Sequence, residues 1–218
     1  YEIIRVYRTE MNHDRMAINI YKEILGINPE DLRAIDELIE LYDTMNMSSD
    51  LISMLQSKAE LVEGKGAKVE IYSDIAQLFL EKFRNQAEAI KAYEQVLEIE
   101  PYHGDAIAFL KEMYEKRREW ESLIDIHKRE IETFESAEEK IAGLKEVAEL
   151  ATERLRKPEV ATELWLEVRE VAPQDGDALD ALEALYEKSR DFEALAEVLE
   201  QKASLSDDDE EKIKLYQK

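Results

Sequence analysis

The sequence predicts an all-α fold: a solenoid of antiparallel helix hairpins, about 12 to 13 helices tiled in three units of 72 residues. Three observations carry that expectation. Proline recurs at one fixed interval, apolar residues keep register with it, and helix breakers are scarce. Pro29, Pro101 and Pro173 stand 72 residues apart. The 218 residues hold only 6 Gly and 4 Pro in a background rich in Glu, Ala, Leu and Lys, the composition of long helices with few turns.

The same shift aligns Ala17, Ala89 and Ala161; Tyr21, Tyr93 and Trp165; and Ile24, Val96 and Val168. Beyond the prolines it superimposes Leu38, Leu110 and Leu182; Leu41, Met113 and Leu185; Tyr42, Tyr114 and Tyr186; and Leu51, Leu123 and Leu195. Val69, Ile141 and Ile213 follow, as do Ile3, Ile75 and Val147. Apolar positions three and four apart, such as Leu38, Leu41 and Tyr42, mark one face of a helix rather than an alternating strand. Four helices fit each unit, and in the middle unit they are expected at about 87–99, 104–117, 119–133 and 137–155. The units run roughly 1–72, 73–144 and 145–216 as a single solenoid. Helical pattern reaches both Tyr1 and Lys218, so the sequence reads as a segment of a longer array.

Local punctuation agrees. Pro101 stops a helix, Asp175 can cap the helix that follows Pro173, Ser136 with Glu139 has capping-box spacing, and Pro158 suits a first helical turn. Gly64, Lys65 and Gly66 read as a flexible connection, since the stretch lacks a phosphate loop's GKS or GKT ending and no strand precedes it. A helix of this kind, with one broad apolar face, must pair with a neighbour, and each pair must stack on the next.

Charge narrows the function classes. Asp and Glu number 52 against 29 Lys and Arg, a formal net charge of -23, which repels nucleic acid and anionic bilayers. No apolar run approaches the roughly 20 residues of a membrane span. With no Cys there are no disulfides or thiolate metal sites, and the compartment stays open.

In their order along the chain these residues resemble the tetratricopeptide repeat. Tyr72, Ile75, Ala76 and Phe79 fit the family's first helix, and Ala89, Tyr93, Val96 and Pro101 its second. Leu144, Val147, Ala148 and Ala151, then Ala161, Trp165, Val168 and Pro173, repeat the arrangement. The alternate hairpins depart from it: the small residue of the first helix is Ile39, Lys111 or Glu183, Leu51, Leu123 and Leu195 replace Ala in the second, and the closing proline is missing. These hairpins are expected to pack more loosely or at a different angle. The resemblance implies a right-handed superhelix and a protein-interaction scaffold or adaptor whose concave face grips a peptide or partner helix.

It also implies which side chains line that face. First helices would present Asp36, Glu40, Asp43, Glu112, Glu115, Asp180 and Glu187, and the intervening ones Arg5, Arg8, Ser73, Gln77, Lys145 and Glu149. Members that hold the acidic tail of heat-shock chaperones use Lys, Asn and Arg at these places. Here the charge is reversed, so the expected partner is a neutral to basic protein or peptide, with no nucleic acid and no membrane insertion. The other readings are a sensor segment of a larger regulator or enzyme, and an RNA-processing helical repeat, which the acidity and the missing Trp and Tyr spacing disfavour.

No residue pattern supports catalysis, a cofactor or a metal. His13, His103 and His127 do not share a helical face, and His127 aligns with Leu55 and Leu199, so it reads as a packing residue. The acidic run from Asp207 to Glu211 lacks the alternating ligands and Gly turn of a calcium loop and reads as acids at a helix N-terminus.

Overall fold

A computed structural model describes residues 14–217, and those residues form helices joined by short turns. In order they are α1 (Asp14–Ile27), α2 (Leu32–Thr44), α3 (Ser48–Leu61), α4 (Lys65–Glu81), α5 (Gln86–Ile99), α6 (Gly104–Arg117), α7 (Trp120–Glu132), α8 (Ala137–Arg154), α9 (Pro158–Val171), α10 (Gly176–Ser189), α11 (Phe192–Leu205) and α12 (Asp209–Tyr216). Ile3, Arg5, Arg8 and His13 lie outside the described residues.

The 72-residue interval is kept at the helix starts. Helices α2, α6 and α10 open at Leu32, Gly104 and Gly176; α5 and α9 at Gln86 and Pro158; α3, α7 and α11 at Ser48, Trp120 and Phe192; α4, α8 and α12 at Lys65, Ala137 and Asp209. Capping keeps it too. Asp31 and Asp175 accept the backbone N–H groups of Ala34 and Ala178, each at 3.0 Å, and between them His103 Nδ1 accepts from Ala106 at 3.3 Å. Ser136 accepts from Glu139 and Pro158 opens α9, as the sequence predicts, and Asp208, within the acidic run expected at a helix N-terminus, caps α12.

Each alternate hairpin turns through a left-handed residue at the same place. Asn46, Arg118 and Arg190 have φ of 54°, 58° and 62°. Their N–H groups donate to the carbonyls of Asp43, Glu115 and Glu187, and the following N–H groups to those of Tyr42, Tyr114 and Tyr186. This closes the last turn of the first helix and reverses the chain.

Two compact units divide between Leu110 and Lys111, inside α6. In unit 1 the core includes Ala17, Ile35, Leu38, Tyr42, Ala76 and Ala89, all fully buried or nearly so. In unit 2 a continuous cluster runs through Val147, Ala148, Ala161, Trp165, Val168 and Leu182. Consecutive helices pack on one another from α1 to α5 and from α7 to α12. Close backbone approaches are more numerous within the α4–α5 and α8–α9 pairs, where α4 and α8 are also the longer helices, than within α2–α3 and α10–α11. At Gly143 α8 nearly touches α7: an added Cβ would lie 2.7 Å from Ile131 Cγ1.

Two expectations fail. Gly64–Gly66 is not a flexible connection, because Gly64 is the N-cap of α4 and Lys65 and Gly66 are already helical; the link is the short Val62–Gly64 stretch. The alignment of Val69, Ile141 and Ile213 does not carry a common environment either. Val69 is buried, Ile141 half-buried and Ile213 56% exposed, since α12 packs chiefly against α11 among the described helices.

Candidate functional site

Each unit carries a cleft between two first helices, floored by the second helix that separates them. In unit 1, Ile39, Glu40 and Asp43 on α2 face Asp74, Gln77 and Glu81 on α4, over Leu51 and Leu55 of α3, around about 300 Å³. In unit 2, Lys111, Glu112 and Glu115 on α6 face Glu146, Glu149 and Glu153 on α8, over Leu123 and His127 of α7, around about 500 Å³. Every residue that lines the first cleft has its counterpart 72 positions later in the second.

The chemistry of the pair follows from those positions. Four carboxylates rim the unit 1 cleft, with no lysine or arginine among its lining residues. Burial, with help from Glu70, raises the Asp74 carboxyl above its ordinary value, against the pull of Lys58. A cation entering there would replace lost hydration and relieve repulsion between acids. The unit 2 cleft has five glutamates but also Lys111, His127 and Arg154. Arg154 lies 5.8 Å from the centre of the Trp120 ring and 3.9 Å from Glu153. His127 is 8% exposed, and burial together with Lys111 lowers its pKa against the opposing fields of Glu146, Glu130 and Glu115. It is therefore a packing residue, as its alignment with leucines indicated.

The structure divides the residues singled out in the sequence. Glu40, Asp43 and Gln77 meet in the first cleft, and Glu112, Glu115 and Glu149 in the second. Asp36, Ser73, Lys145, Asp180 and Glu187 line neither. Asp36 is held by Lys58 at 2.7 Å, and Asp180 by Lys202 at 2.5 Å. Lys145 is drawn to Asp175, at 2.9 Å, and to Asp177. Those bonds raise the Lys145 pKa; at Asp175, burial pushes up but the hydrogen bonds from Lys145 and the backbone win, and its pKa falls. Ser73 keeps a buried hydroxyl with no hydrogen-bond partner. Asp74, Glu81, Glu146 and Glu153 were missed, although the i, i+3, i+7 spacing of 74, 77 and 81 places them on one face with Gln77.

The irregular small-residue position now has a role. Lys111 of α6 reaches Glu130 of α7 at 2.5 Å, while Glu183 of α10 accepts from Lys202 of α11 at 2.5 Å. Glu130 and Lys202 are 72 residues apart, as are Lys111 and Glu183, so successive hairpins carry the same bridge with its charges exchanged.

Residues 106–138 and 178–213 match the family model described as the tetratricopeptide repeat. Those stretches fall on the α6–α7 and α10–α11 hairpins, the ones with Lys111 and Glu183 at the small position, which in sequence depart from the family pattern. Two hairpins of the chain thus match the tetratricopeptide repeat, and the helices between them are paired in the same way.

Solved structures similar to this chain include YrrB, a TPR protein with an unusual peptide-binding site, at 16% identity over 91% of this chain and 98% of that one, with a TM-score of 0.36. A MamA protein has 18% identity over 79% and 90%, with a TM-score of 0.38, and yeast Tom70 15% over 93% and 42%, with 0.36. No curated protein matches the chain. No described helix is long and apolar enough to cross a membrane, and no group of described acids and histidines is arranged to hold a metal.

Proposed function

We propose that this chain is a scaffold that holds a neutral to basic segment of a partner protein in its first-helix clefts. One observation carries the reading: the same positions, one repeat apart, build a concave site in each unit, and the acid rim is kept. Glu40 and Glu112, Asp43 and Glu115, Asp74 and Glu146, and Glu81 and Glu153 correspond. Scattered surface acids, present only for solubility, have no reason to converge twice on a leucine-floored hollow.

Binding would combine apolar contact with the floor and charge-assisted hydrogen bonds from Lys or Arg to the rim. The net charge of -23 would speed the encounter with a cationic segment and slow it with an acidic one. Fluorescence anisotropy tests this with a labelled Lys- and Arg-containing peptide and a poly-Glu control. The basic peptide should bind, and its affinity should fall as salt rises and after Glu115→Gln with Glu149→Gln. Tight poly-Glu binding at physiological salt would refute it.

A further inference from the structure

A second concavity in unit 2, of about 520 Å³, lies one hairpin further along, between α8 and α10, with the start of α9 as its floor. It shares Glu153 with the acidic cleft between α6 and α8. Its far wall has the opposite character. Where α8 offers Glu146, Glu149 and Glu153 to the first cleft, α10 offers Ala181, Ala184 and Lys188 to the second, with the same three-and-four spacing. Leu185 and Ala161 are buried at its base, and Arg156 stands on the α8 side. Neither Arg156 nor Lys188 makes an ion pair with a described residue, whereas Lys111 in the neighbouring cleft is engaged by Glu130. Going from α6 to α10, the surface thus passes from an acidic hollow to an apolar one flanked by two available cations.

We propose that unit 2 reads a two-part ligand. A segment of the partner places a Lys or Arg between α6 and α8, and a neighbouring apolar side chain followed by a carboxylate between α8 and α10. The apolar group covers Ala161, Ala184 and Leu185, and the carboxylate is met by Arg156 and Lys188. This rests on the reading of the acidic clefts above and adds to it a polarity, so that the order of charges in the partner is recognised as well as their sign. Charge complementarity is the reason for this occupant: a wholly basic segment would set its second half against Arg156 and Lys188, and a wholly acidic one its first half against Glu112, Glu115, Glu146 and Glu149.

The test uses the full chain and four labelled peptides: a Lys-Arg-Lys block alone, a Leu-Leu-Glu-Glu block alone, and the two blocks joined in either order. Anisotropy at physiological salt should show one joined order binding at least about tenfold tighter than the basic block alone, because the second contact becomes intramolecular. Arg156→Glu with Lys188→Glu, both exposed positions, should abolish that gain and leave the basic block's own affinity in place. Equal binding of the joined peptides and the basic block, or a gain that survives the double substitution, would overturn the proposal while leaving the acidic-cleft reading intact. Loss of the basic block's dependence on Glu115 and Glu149 would overturn both.

Discussion

The two kinds of hairpin solve the same packing problem with different chemistry. In α8–α9 the small residues are Ala148 and Ala161, which are 0% and 1% exposed, and the two helices pack closely on one another. In α10–α11 the place of Ala148 is taken by Glu183, too large and too polar for such contact, and Lys202 reaches across to hold it. Burial alone would lower the Lys202 pKa, yet its bonds to Asp180 and Glu183 raise it. A missing alanine is therefore not a defect in the repeat: the second helix supplies the compensating group. The middle hairpin shows this best, since Lys111 and Glu130 form the bridge with the charges reversed.

The strongest way to break this comparison is to move the charge without its partner. Ala148→Glu places a carboxylate at a fully buried site and should cost about 3 to 5 kcal/mol, read as a fall in the urea midpoint, although the same residue is at home at 183. Ala161→Trp should follow at about 1 to 3 kcal/mol through overpacking; an unchanged thermal midpoint would show the site to be open.

Glu183→Lys sets two lysines together and should cost roughly 1 kcal/mol. Adding Lys202→Glu, which recreates the order of the middle hairpin, should recover most of it in a double-mutant cycle. At the turn, Arg118→Gly should raise stability by roughly 0.5 to 1 kcal/mol, because φ of 58° is costly for arginine and free for glycine.

The smallest effect concerns protons. His127 has its folded pKa below the ordinary 6.5, so on acidification the unfolded chain takes up its proton first. That contribution to stability is complete above 6.5 and is lost as pH falls below it. His127→Leu, the residue found at 55 and 199, should flatten the thermal midpoint between about pH 7.5 and about pH 5.5 relative to the parent chain.

The fold was legible because the signal is repeated. Helix starts could be read from prolines, caps and 3.6-residue periodicity, and the middle unit's four helices fall within a residue or so of their expected limits. His103 as a cap was not readable, since imidazole is not among the usual capping groups and only its position one interval from Asp31 and Asp175 reveals it. The candidate site was half legible. Helical spacing places Glu40, Asp43, Glu112 and Glu115 on one side, but the fate of Asp36, Asp180 and Lys145 depends on partners 22 to 32 residues away in sequence, on other helices. A charge's face can be read from its own helix, and its availability cannot.

The most direct measurement is a titration of the isotopically labelled chain with the basic peptide, followed residue by residue through backbone amide shifts. The clefts predict changes centred on Glu40, Asp43, Asp74 and Gln77, and again 72 residues on at Glu112, Glu115, Glu146 and Glu149. Shifts spread evenly over the acidic surface, or confined to the outer faces of the second helices, would contradict it.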